Sequence, residues 1–264
     1  MGKFGVFHDY GEELERRIRL QTFPLAVKLL EKEINIPEGA ERPLRDFGYH
    51  VPLCQGYAMS RKEGKTIAMF KEDMWCFEPV VGYGWARPPQ YFLEGYNRFP
   101  RDVKTLEAGA NYAHELPRLE FGKYIGVVSA PLMTATFEPD VIMIYCNSVQ
   151  LSLLLLGREY KDGFNLKCSL SSHAACVYGV VPVIQSGECQ VAVPCRGDRY
   201  GAMAGDDEMV FTVPGGRLED LIMGLRQVYE TDSKLPRGYK MQPEYKLPES
   251  YAKIGEMLGM DVNK

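Results

Sequence analysis

The chain has 264 residues, room for one large domain or two small ones. With 45% hydrophobic and 25% charged residues it is globular in composition, which excludes the disordered and fibrous classes. A net charge of −4 gives no reason to expect a nucleic-acid partner or an anionic membrane.

In chain order, Asp9 to Gln21 reads as a helix, with Leu14 and Ile18 one turn apart and Glu12, Glu13 and Glu15 near its amino end. Pro24 to Leu30 suits a buried strand, and Ile36 to Pro43 a Pro/Gly-bearing loop. A short helix over Leu53 to Ser60 begins near Cys54, followed by a strand over Lys65 to Lys71. Asp102 to Leu116 reads as a helix capped by Asp102 and closed before Pro117. Tyr124 to Ala130 and Val141 to Tyr145 are expected strands, Asn147 to Glu159 an apolar helix, and Phe164 to Cys168 another strand. Ser172 to Val181 reads as a helix capped by Ser171 or Ser172. Strands over Gln190 to Val193 and Met209 to Val213 precede an amphipathic helix from Leu218 to Tyr229. Beyond about Thr231 the chain is polar and Pro/Lys-rich, with a helix expected only over Ser250 to Leu258. Strands and helices without regular alternation predict an α+β (mixed α/β) fold.

The division expected is an amino-terminal half over 1–122, a second half over 123–231 and a carboxy-terminal arm over 232–264. An echo links the halves. Cys54-x21-Cys76 resembles Cys146-x21-Cys168, or Cys146-x29-Cys176 with a loop inserted, each starting near a helix and passing an acidic-Gly turn, Glu63-Gly64 and Asp162-Gly163. Such a duplication predicts two similar halves facing each other across a shared site. The amino terminus lacks a secretory h-region, Val6 breaks the myristoylation pattern after Gly2, and the run Leu153 to Leu156 is far too short to span a bilayer. The expectation is a cytoplasmic protein, outside the membrane.

Seven cysteines against four histidines is the conspicuous feature. A reducing compartment and an odd count argue against a disulfide framework. No CxxC occurs, so the common zinc, thioredoxin and c-type haem signals are missing. Cys54, Cys76, Cys176 and Cys195 lie at turns and corners, most beside glycine: Cys54-Gln55-Gly56, Ala175-Cys176-Val177-Tyr178-Gly179 and Cys195-Arg196-Gly197. Such settings suit a metal or iron–sulfur cluster, because only the fold has to bring the ligands together. They equally suit buried, core cysteines. Cys146, Cys168 and Cys189 flank strands and are read as structural.

His173, three residues before Cys176, is either a proton donor beside the cysteines or a surface residue at a helix start. Arg196 and Arg199, around Gly197-Asp198, either orient an anionic substrate or lock their loop. Gly205-Asp206-Asp207-Glu208 reads as a solvated turn, and the aromatics between Met74 and Tyr96 as core or as a pocket for a flat organic ligand. No GxGxxG, P-loop, GxSxG or HExxH pattern occurs, so no nucleotide cofactor is expected.

Two sets of residues resemble the DUF169 family. The first is Cys54-Gln55-Gly56-Tyr57-Ala58 with Glu72-Asp73-Met74-Trp75-Cys76 and Gly82. The second is Pro139 to Ile144, Gln150, Ala174-Ala175-Cys176, Gly197-Asp198-Arg199 and Asp206 to Pro214. The resemblance runs over about residues 15 to 230. It implies a family common in anaerobic bacteria and archaea, a setting that suits oxygen-labile clusters, and it carries no reaction. Cys54, Cys76 and Cys176 match the family pattern, with Cys195 beside its Gly-Asp-Arg turn as the fourth candidate.

The leading expectation is an iron–sulfur redox protein or enzyme of anaerobic metabolism. Its [4Fe–4S] cluster would be held between the halves by Cys54, Cys76, Cys176 and Cys195, with His173, Arg196 and Arg199 supplying protons and charge. A redox partner protein, a small organic substrate and self-association are compatible with it. The alternative is a non-catalytic small-ligand-binding or assembly protein whose cysteines are mostly structural; a zinc site is a third reading.

Overall fold

The computed structural model describes residues 4–230 and 248–260. Six strands, β1 (Leu25–Leu30), β2 (Ile67–Phe70), β3 (Gly126–Pro131), β4 (Val141–Cys146), β5 (Gln190–Ala192) and β6 (Met209–Pro214), form one antiparallel sheet. Around them lie α1 (Gly5–Ile18), α2 (Leu53–Glu63), α3 (Phe77–Gly82), α4 (Gln90–Leu93), α5 (Leu106–Glu115), α6 (Ser148–Glu159), α7 (Ala175–Tyr178), α8 (Val181–Ser186), α9 (Arg196–Gly201) and α10 (Leu218–Glu230). The fold is mixed α+β. One compact unit runs to Ser233; the other, from Lys234, contributes α11 (Glu249–Met257) among the described residues. Most of the expected arm, 232–247 and 261–264, lies outside them.

Strands β3 and β4 are buried at every position, as continuous apolar runs are when both faces of a sheet are covered. Leu25, Val27 and Leu29 of β1 and Val141, Met143 and Tyr145 of β4 share one core with Leu53 and Tyr57 of α2, Val81 of α3 and Val177 of α7. Helices α1, α6 and α10 pack against one another, and α6 lies on β4 and β6. The α6–α10 crossing depends on paired glycines, since a Cβ on Gly224 would stand 1.9 Å from the Gly157 carbonyl oxygen.

The strand order is β2-β3-β1-β4-β6-β5. Outward from the β1–β4 seam, each side repeats the same chain order, β1-β3-β2 and β4-β6-β5. In chain order this regularity sets β1 to β3 beside β4 to β6. The cysteine echo is therefore misaligned. Cys146 ends β4, and Cys168 is exposed in a stretch without regular structure. By topology the counterpart of Cys76, which follows β2 and precedes α3, is Cys195, which follows β5 and precedes α9.

Three local expectations fail. Phe164 to Cys168 forms no strand, and the Phe164 side chain is exposed. The helix expected over 172–181 shrinks to α7, because Ala174 takes a left-handed φ of +50°. Helix α5 starts at Leu106, where the Thr105 hydroxyl accepts the Ala108 N–H at 3.1 Å. The Asp102 carboxylate is engaged by arginines instead.

A cysteine-lined cavity as the candidate functional site

Four chain segments deliver cysteines to one place, each at the start of a helix. After β2 the chain turns on the fully buried Asp73, which accepts the Phe70 N–H at 3.0 Å and pairs with Arg42 at 3.1 Å. That corner carries Trp75 and Cys76 to the position just before α3. Cys54 is the second residue of α2, behind Pro52, and Cys176 the second residue of α7. Cys195 immediately precedes α9, where Asp198 accepts its backbone N–H at 3.1 Å and its thiol at 2.9 Å. The Gln55 side-chain amide donates to the Gly201 carbonyl at 2.9 Å, tying α2 to α9.

All four cysteines line a single cavity of about 610 Å³, together with Pro52, Leu53, Trp75, Glu78, Pro79, Arg98, Arg101, Asp102, His173, Ala174, Arg196, Gly197 and Tyr200. Cys54 and Cys76 come from the first half of the sheet, Cys176 and Cys195 from the second. The sulfurs of Cys54 and Cys195 each lie 3.6 Å from the point a Cβ on Gly197 would occupy, so this glycine keeps the space between them open. Among the described residues, no three His, Cys, Asp or Glu side chains are grouped closely enough to hold a single metal ion.

Burial is the first cause of every thiol shift here. It pushes Cys76 up to about 12 and Cys195 up to about 11, and raises Cys54 and Cys176 further. Negative neighbours add to the rise: Asp198 for Cys54 and Cys195, Glu78 for Cys76, and Cys54 for Cys176. Opposing it, the Asp198 backbone N–H donates to the Cys195 sulfur across the first turn of α9. The cavity thus keeps its thiols protonated while presenting Cys195 with a donor suited to a thiolate. A positive centre among them would reverse the balance.

Next to Cys76, whose thiol donates to Glu78 at 3.9 Å, stands a polar cluster whose members Glu78 and Tyr112 are 34 residues apart in sequence. Arg98, 4% exposed, donates to Glu78, to Asp102 at 3.0 Å and to the Tyr112 hydroxyl at 2.8 Å. Arg101 also donates to Asp102 and, as the main cause, holds its carboxyl down near about 2. His173 Nε2 lies 3.7 Å from Asp102, and burial lowers the imidazole pKa, with Arg98 adding to the effect. His173 is therefore a neutral imidazole on the cavity wall at pH 7.

The other residues singled out from the sequence divide clearly. Arg196 lines the cavity; Arg199 lines only the neighbouring open groove and donates to the Gly205 carbonyl, which locks the loop. Glu208 is a buried partner of Arg61, while Asp206 and Asp207 are exposed. Of the aromatics between Met74 and Tyr96, Tyr83 and Phe92 belong to the core, Tyr91 stacks on Tyr96 at 4.6 Å, and only Trp75 reaches the cavity. Cys146 and Cys189 are buried away from it. Sequence reasoning missed Glu78, Arg98, Arg101 and Tyr200. For the two arginines the nearest signal was Asp102 beside them, read only as a helix cap.

Exposure and pKa together order the cysteines by reactivity. At pH 8 iodoacetamide is expected to modify exposed Cys168 first and the four cavity thiols much more slowly. Because raised pKa values make the thiolate scarce at pH 8, the slow phase should accelerate about tenfold per pH unit towards pH 11. Peptide mapping by mass spectrometry checks the order; a Cys54 or Cys176 adduct ahead of Cys168 would contradict it.

Residues 13–224 match the DUF169 family, described as uncharacterised ArCR. The chain belongs to that family. No curated protein and no solved structure matches it.

Proposed function

We propose that this member of the DUF169 family is an iron–sulfur redox protein whose cavity holds a [4Fe–4S] cluster on Cys54, Cys76, Cys176 and Cys195. One observation carries the reading: four cysteines distant in sequence, delivered at four helix starts, line one cavity. The donor set fits the group. A cubane occupies volume and takes its thiolates around its outside, unlike a single ion, and about 610 Å³ leaves room for it and for a small molecule beside it.

The chain's own residues provide the setting such a group requires. The Asp198 N–H on the Cys195 sulfur stabilises a thiolate ligand and raises a cluster's potential. Arg98, Arg101 and Arg196 bring positive charge to the wall. Pro52, Leu53 and Pro79 keep water from part of it. When bound, the cluster supplies one-electron transfer; neutral His173 is the wall group able to take up a proton.

The experiment is anaerobic purification and reconstitution, followed by iron and sulfide analysis and an absorption spectrum. About four irons per chain, with visible absorption bleached by dithionite, are expected. A colourless protein without stoichiometric iron after reconstitution would overturn the reading. It would leave the alternative, a small-ligand-binding protein with structural cysteines.

A further inference from the structure

The mouth of the cavity differs chemically from its floor. Trp75 and Tyr200 are wall residues, yet they are 68% and 93% exposed, so both present large aromatic surface at the opening. Tyr200 lies four residues after Arg196, one turn along α9 on the same face. Glu78 and Asp102 are engaged by Arg98 and Arg101. Arg196 is exposed, and among the described residues its side chain makes no hydrogen bond, ion pair or ring contact. Of the arginines in the lining, that leaves one guanidinium, that of Arg196, without a carboxylate among the described residues. It stands on the rim shared with the adjoining groove, whose other arginine, Arg199, is tied to Gly205.

We infer that the mouth binds a small aromatic carboxylate, its anion on the Arg196 guanidinium and its ring against Trp75 and Tyr200. A guanidinium fork matches a carboxylate in two parallel hydrogen bonds, and exposed rings flanking a concave, largely apolar site offer stacking surface for a flat body. A single unmatched cation selects a monoanion over a neutral or dianionic molecule. The inference names a ligand class for the cavity of the proposed iron–sulfur site and rests on that cavity being functional. It requires no cluster to be present.

The protein contains two tryptophans, Trp75 and Trp85. The buried Trp85 Nε1 has no hydrogen-bond partner, so Trp85→Phe removes the second fluorophore without breaking a hydrogen bond. In metal-free Trp85→Phe protein, benzoate is expected to change Trp75 fluorescence saturably. Benzyl alcohol, the neutral counterpart, should bind about tenfold more weakly or worse, and Arg196→Gln should weaken benzoate by a similar factor while Arg196→Lys recovers part of it. The inference is overturned if benzoate does not saturate, if benzyl alcohol binds equally well, or if Arg196→Gln leaves benzoate affinity unchanged. Because no iron is present, these outcomes are independent of the cluster test. Benzoate binding by a protein that takes up no iron would sink the cluster reading alone.

Discussion

Replacing Cys54 and Cys176 together by Ala is expected to abolish iron uptake while leaving the protein folded. Two remaining thiols are too few to hold a cubane, so iron should fall from about four per chain to near zero. The folding cost is modest. Each change deletes one small buried atom, about 1 kcal/mol apiece. The hydrogen bond that Tyr83 makes at this point goes to the Cys176 backbone carbonyl at 2.8 Å, which Ala retains. Cys146→Ala is the control: it is as deeply buried but lies away from the cavity, and its iron content should match the parent protein. Were the cysteines only core residues, the two variants would differ from the parent in stability alone.

Arg61→Met is expected to give the largest loss of stability. Arg61 leaves α2 into the interior with 1% of its surface exposed. It donates to the Ala202 carbonyl at 3.1 Å, to Thr22 at 3.3 Å and to Glu208 at 3.5 Å, and lies 4.0 Å over the Tyr145 ring. Tyr145 in turn donates to Asp198 at 2.9 Å, the carboxylate that also receives the Cys195 N–H and thiol. Methionine fills the volume but strands the Glu208 charge, and breaking a buried pair in this way costs about 3–5 kcal/mol. Urea denaturation measures it. Adding Glu208→Gln should restore part of the loss, since the stranded charge is then gone; an Arg61→Met protein within about 1 kcal/mol of the parent would refute the pairing. The same change releases the α9 segment from below, so Cys195 should become easier to alkylate.

The reading of the strands from the sequence succeeded where burial is total. Val141 to Tyr145 and Tyr124 to Ala130 are apolar runs that only a covered sheet accommodates, and they form β4 and β3. Phe164 to Cys168 alternates apolar and polar residues as a half-buried strand does, but it found no neighbouring strand to complete its hydrogen bonds. The helix expected from Ser172 failed at a single backbone angle, that of Ala174, which periodicity does not reveal. Asp102 has the chemistry of a cap, but Arg98 and Arg101 claim its carboxylate.

The cysteine surplus divided in the same manner. Turn and corner settings were local and legible, and they separated Cys54, Cys76, Cys176 and Cys195 from the strand-flanking cysteines. Their convergence on one cavity was decided by tertiary structure, because β2 and β5 form opposite edges of the sheet and run in opposite directions, so only the segments that follow them can bring Cys76 and Cys195 to one place. The charges around them were decided by tertiary structure alone. Glu78, Arg98 and Tyr112 are separated by up to 34 residues and meet only once the chain has folded, which leaves Arg196 as the cation of the lining without a partner among the described residues. Backbone preference and hydrophobic pattern act over a few residues and are written in the sequence; which charge neutralises which depends on distances that exist only after folding.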